Sequence, residues 1–264
     1  MRQRKQMVKK ARGGSTEEKV LNLALSLKTY LIVFTASTCG MVIEIVAARI
    51  LAPSIGVSLY TWTSIIGVVL AGISIGNYLG GRLADRFPSP RTLGFILLAG
   101  SIFSMSVLPL VNLVSHTLEV LPFIPRIILL TSALFFLPSL TLGMVTPVAI
   151  RLRLRDLSHT GNVVGKIYAV STAGAIFGTL ITGFVLIQWI GTRAIILVIA
   201  LVLLLMALTF GNLLRAKVPT ITGLVLLAGI GGVVISSGAM DRSSLYESNY
   251  YNINVYDEVQ EGHR

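Results

Sequence analysis

Glu44 and Arg49 stand five residues apart in the apolar stretch "TASTCGMVIEIVAARIL". Glu44 is the single acidic residue inside any long apolar run of the chain. A charged side chain at the centre of a bilayer costs about 3 kcal/mol or more unless it is paired, protonated or hydrated. Such a carboxylate belongs on an interior face or in a cavity. There it can attract a cationic amine or carry a proton. Alternatively it completes a structural pair with Arg49, or with Ser and Thr hydroxyls of other helices. Both readings are open on the residues alone.

A second group of charges lies in "GNYLGGRLADRFPSPR", where Gly81, Arg82, Asp85, Arg86 and Arg91 follow an apolar run and Pro88 and Pro90 close it. At the end of a spanning segment, arginines reach headgroups and water at little cost. The prolines stop the helix. A short solvated turn explains the pattern, and so does a functional charge network. His116, His159 and His263 fall in separate polar segments, so no metal site is expected.

The elements that must position these residues are long and apolar. Of 264 residues, 54% are hydrophobic and 12% charged, about half the charged share of an ordinary soluble domain. The expected fold is an all-α integral membrane protein. A span needs about 20 mostly apolar residues. Seven candidates occur: Tyr30–Leu51, Tyr60–Gly81, Thr92–Val114, Ile127–Ile150, Ile167–Ile190, Ala194–Leu214 and Thr220–Met240. They divide the chain into a basic leader (1–28), a seven-helix membrane domain (29–240) and a polar tail (241–264). The first run is too long for a cleavable signal peptide and follows a long basic leader. Cys39, the one cysteine, cannot form an internal disulfide.

With the N-terminus inside, most Lys and Arg fall on the cytoplasmic side. The outer side keeps Arg49, Arg126, Arg193, Arg242 and Arg264. This positive-inside bias sets the expected orientation, with the tail outside after seven spans. The net charge of +11 is therefore read as orientation and contact with anionic lipid. Nucleic acid is not expected, because the leader has no aromatic residue for base stacking.

Gly72, Gly76 and Gly80 recur every four residues in the second run, and Gly174 and Gly178 do so in the fifth. Small residues at this spacing let helix backbones approach closely in lipid. Two such faces suggest that the first three spans repeat as the next three, as in many transporters. The plainer reading is that glycine is common in membrane helices.

The charged turn resembles the loop between the second and third helices of the major facilitator superfamily. Gly81, Asp85 and Arg86 match its pattern. Pro88 replaces the second Gly, and Ser89 and Pro90 replace basic residues. The resemblance implies that Asp85 joins a charge network holding a cytoplasmic gate closed, in half of a major facilitator fold.

The stretches "EIVAARILAPSIGVSLYTWTSIIGVVLAGISIGNYLGGRLADR" and "GKIYAVSTAGAIFGTLITGFVLIQWIGTR" resemble the membrane domain of bacterial fused transporter-like/spermidine synthase proteins. The likeness runs from about Tyr30 to Arg264. In "YESNYYNINVYDEVQEGHR", Ser248, Tyr250, Ile253, Val255 and Arg264 match the opening strands of the synthase domain, and Tyr251 stands where a substrate-side Gln often occurs. The Gly-rich loop, the acidic residues for a decarboxylated S-adenosylmethionine-type cofactor and the catalytic Asp have no counterpart. No catalytic residue and no cofactor is therefore expected of this chain alone. The tail's alternation reads as a lone strand with Ile253 and Val255 on one face. Such a strand would need a partner.

Three functions follow as expectations. The first is a non-catalytic membrane subunit or anchor in the bacterial inner membrane, docking a partner through its helices and tail. The second is a transporter-like module for a small cationic amine, with Glu44 as counter-charge. The third is a spermidine synthase-family enzyme completed by a catalytic domain in trans. The expected partners are lipid, other membrane subunits or further copies of the chain, and a separate synthase-like domain.

Overall fold

The computed structural model describes residues 2–118, 120–154, 160–211, 223, 225, 227–232, 245–247 and 252–254. The helices are α1 (Arg2–Ile55), α2 (Leu59–Arg86), α3 (Pro90–Thr117), α4 (Phe123–Arg153), α5 (Thr160–Ile181), α6 (Ile187–Trp189) and α7 (Thr192–Phe210). A π-helical turn, Thr182–Leu186, joins α5 to the short α6, so these form one rod. Among the described residues, six helical segments are long and apolar enough to cross a membrane. They are Ser26–Ile55, Leu59–Arg86, Pro90–Val111, Phe123–Arg153, Thr160–Trp189 and Thr192–Phe210. The expected seventh span lies mostly outside the described residues, although Gly223, Val225 and 227–232 within it are helical. α1 is continuous through residue 28, so the leader is not set off by a break in the backbone.

Local sequence explains the turns. Gly56 ends α1 at φ +72°, a conformation that suits a residue without Cβ. Ser58 caps α2, its Oγ accepting from the Thr61 amide at 3.2 Å. The Thr61 hydroxyl donates back to the Gly56 carbonyl at 3.2 Å. The next turn uses the same device. Ser89 Oγ accepts from the Thr92 amide at 3.2 Å, and Thr92 Oγ1 donates to the Phe87 carbonyl at 2.7 Å. These bonds satisfy groups left without partners at the helix ends.

α1, α3, α4 and α7 form the centre of the bundle, with α2 laid against α4 and α5 against α1. The centre is filled by fully buried apolar side chains, among them Leu51, Leu97, Leu130, Phe135, Ile196 and Leu203. Ser101 on α3 donates to the Ala200 carbonyl of α7 at 2.6 Å, a buried bond across the core. α2 and α5 bury one narrow face each. Ile66, Leu70, Ile176 and Leu180 on their other faces are exposed, as lipid contact requires.

Two three-residue strands lie in the tail. Leu245–Glu247 pairs antiparallel with Asn252–Asn254, with Tyr246 opposite Ile253. The strand expected to stand alone is thus one arm of a hairpin. A hairpin this short has little stability of its own.

Candidate functional site

The glycine faces meet helices, and they do so in matching ways. A Cβ on Gly72 would lie 2.9 Å from Ser139 Cβ; one on Gly80 would lie 2.7 Å from Met144 Cα and 2.9 Å from Pro147 Cγ. A Cβ on Gly76 would run into the Leu140 carbonyl. On the other side of the bundle, Gly174 abuts the Phe34 backbone, and a Cβ on Gly178 would lie 2.6 Å from the Thr38 carbonyl. Gly76 and Gly80 therefore stand to Leu140 and Met144 as Gly174 and Gly178 stand to Phe34 and Thr38.

Polar groups reinforce the α1–α5 contact. Thr38 Oγ1 lies 2.9 Å from both the Gly174 and Phe34 carbonyls, and the Ser37 and Ser171 hydroxyls are 2.7 Å apart. Sequence reasoning passed over Ser37, Thr38 and Ser171. Their small size and hydroxyls, on a run facing a glycine helix, were the available signal. The prolines of α4 serve packing: Pro138 is buried and its carbonyl accepts from Thr141 Oγ1 at 2.8 Å, while Pro147 meets Gly80.

Glu44 is half-buried in the spanning part of α1. Residues five apart on an α-helix leave its axis about 140° apart, so Glu44 and Arg49 start from different positions around α1. The same geometry puts Ser37 and Gly40 within about 40° of Glu44. Gly40 faces Leu142 of α4, and Ser37 faces α5. Glu44 thus continues the face of α1 that looks toward the seam between α4 and α5.

At the α2–α3 end, Asp85 Oδ1 accepts from Arg151 Nε of α4 at 3.3 Å. The Asp85 side chain is 78% exposed and that of Arg151 46%. An ion pair so open to solvent contributes less than about 1 kcal/mol. Arg82 lies over the Tyr78 ring, 4.5 Å from its centroid, and Arg86 over Phe87 at 5.5 Å. Gly81 has open space where a Cβ would go, so no close contact demands glycine there. Arg151 lies 66 residues from Asp85 in the sequence. Nothing in its spacing from Asp85 could have paired them.

Of the tail residues, Ile253 lies in the second strand, while Tyr250 and Val255 fall outside the described residues.

No protein-family model matches the chain. No solved structure matches it. Two curated relatives do: Polyamine aminopropyltransferase 2 and Polyamine aminopropyltransferase 1, both of Ralstonia nicotianae. Each is 28% identical over 161 residues, covering 61% of this chain and 30% of the relative. The chain therefore spans less than a third of the length of the relatives it matches. A match of 161 residues cannot fit in the leader and tail, so it lies largely on the spanning helices. The similarity links this helical bundle to proteins named for polyamine chemistry.

Proposed function

We propose that the chain is a non-catalytic integral membrane module of a polyamine-related system, which holds a partner through its helices and tail. The observation carrying this reading is the filled interior between α1, α3, α4 and α7, where Leu51, Leu130, Phe135 and Leu203 are wholly buried. Packing of that kind builds a rigid support rather than a conduit. The similarity to the two aminopropyltransferases supplies the polyamine connection. In those longer proteins, the two thirds beyond the match have room for the catalysis that this chain's residues do not suggest.

In this reading the N-terminus is cytoplasmic and the chain sits in a bacterial inner membrane. The matching glycine contacts of α2 with α4 and α5 with α1 support a three-plus-three repeat. The domain scheme is the one expected above: leader, membrane bundle and tail, with the tail hairpin available to a second subunit or a separate synthase-like domain.

The test is an assay of the purified chain in lipid nanodiscs with putrescine and decarboxylated S-adenosylmethionine. No spermidine should form. Spermidine made at a rate proportional to the chain's concentration would overturn the non-catalytic reading.

One observation favours a second reading. Glu44 is a half-buried acid within a span, on a face shared with Ser37. A module that binds a cationic amine would place a carboxylate so.

A further inference from the structure

The end of the bundle where α2 gives way to α3 carries an open groove of about 450 Å³. Its walls are mostly apolar: Leu83 and Phe87 come from the end of α2, Phe95, Ile96 and Ala99 from α3, and Met144 from α4. Arg91 lines its outer end. Arg86 stands over the Phe87 ring that forms part of the same wall. Ser89 and Thr92 also line this end, but their hydroxyls are 3.2 Å from each other, and Thr92 donates to the Phe87 carbonyl. Arg91 thus brings one guanidinium to the groove mouth, and Arg86 brings a second to the Phe87 ring beside it.

From Arg91 to Ala99 the groove follows α3 for eight residues, or about 12 Å at 1.5 Å per residue. Its charged mouth lies at the end of a spanning segment and its apolar part runs toward the middle of the membrane. A free phosphate would have no use for that trough. A soluble protein could not reach its depth.

We propose that this groove binds one anionic phospholipid, with the phosphate between Arg91 and Arg86 and an acyl chain along Phe95, Ile96 and Ala99. Arginine suits the phosphate because its planar fork gives several donors at once. A zwitterionic choline headgroup would bring a cation toward the same two arginines, so the site discriminates by headgroup charge. The proposal is independent of the polyamine reading and of which side of the membrane the groove faces.

The experiment uses the full chain, delipidated in neutral detergent. Thermal stability is followed during titration with phosphatidylglycerol, phosphatidylcholine of the same chains, or inorganic phosphate. A ligand that binds the folded state raises apparent stability. Phosphatidylglycerol should act at a lower mole fraction than phosphatidylcholine, by about fivefold for each arginine engaged. Inorganic phosphate should have no effect. The double variant Arg86→Gln/Arg91→Gln changes two exposed side chains and should fold; in it the two lipids should act alike. Ala99→Phe, which fills the trough, should weaken the response to both lipids. Equal responses to the two lipids in the unmodified chain would overturn the proposal. So would headgroup preference surviving in the double variant, or phosphate alone reproducing the effect.

Discussion

Arg151 Nε lies 3.3 Å from Asp85 Oδ1 and joins the last turn of α4 to the last turn of α2. The same two helices are already locked by Gly72, Gly76 and Gly80. The pair therefore adds charge to a contact that packing has fixed. Asp85→Asn should lower stability by less than about 1 kcal/mol, and 0.5 M salt should erase the difference. A double-mutant cycle with Arg151→Gln, read by thermal unfolding in detergent, checks this. Coupling well above that value would make the pair a true lock, as the likeness to the major facilitator loop implies.

The glycine contact is the stronger bond between these helices. A Cβ at position 76 would meet the backbone of Leu140 and Gly143, and backbone cannot swing aside. Gly76→Ala should cost about 1–3 kcal/mol, and Gly76→Leu more. Gly67→Ala, at a position with nothing within 4 Å of the added carbon, should be nearly silent. Thermal unfolding of the three variants side by side would show it. Equal melting temperatures would mean that α2 does not rest on α4.

Thr38 offers a gentler test on the other side. Thr38→Val keeps the shape but removes the hydroxyl that reaches the Gly174 and Phe34 carbonyls. Hydrogen bonds between membrane helices average about 0.6 kcal/mol, so a loss of that size is expected. Gly174→Ala, which presses on the Phe34 backbone, should cost several times more.

Much of this architecture was legible in the sequence, for physical reasons. Lipid forces each crossing to be a long apolar helix, so composition reveals six of the spans. Close helix contact needs small residues, so Gly72, Gly76, Gly80, Gly174 and Gly178 marked their faces before any partner was known. The partners themselves were not legible. That Gly76 meets Leu140, or that Asp85 meets Arg151, depends on how distant helices assemble. The hairpin arm Leu245–Glu247 was missed because three residues give no periodicity to read.

The proposed orientation rests on the lysines and arginines and can be checked with fusions. A reporter active only in the cytoplasm should be bright when fused after Gly211, which follows the sixth span, and silent after Arg264 if residues 220–240 cross once more. Silence after Gly211 would contradict either the cytoplasmic N-terminus or the six crossings before it.

The measurement that tests the account most directly is the melting temperature of the purified chain with and without spermidine, for the unmodified protein and for Glu44→Gln. Spermidine that binds the folded state must raise that temperature. Glutamine preserves the shape of the side chain and most of its hydrogen bonding but removes its charge. A membrane module whose interior is packed and whose partner is another protein should show no spermidine-dependent shift in either form. A clear rise in the unmodified chain that disappears in Glu44→Gln would contradict this and establish Glu44 as the cation site of an amine-binding protein.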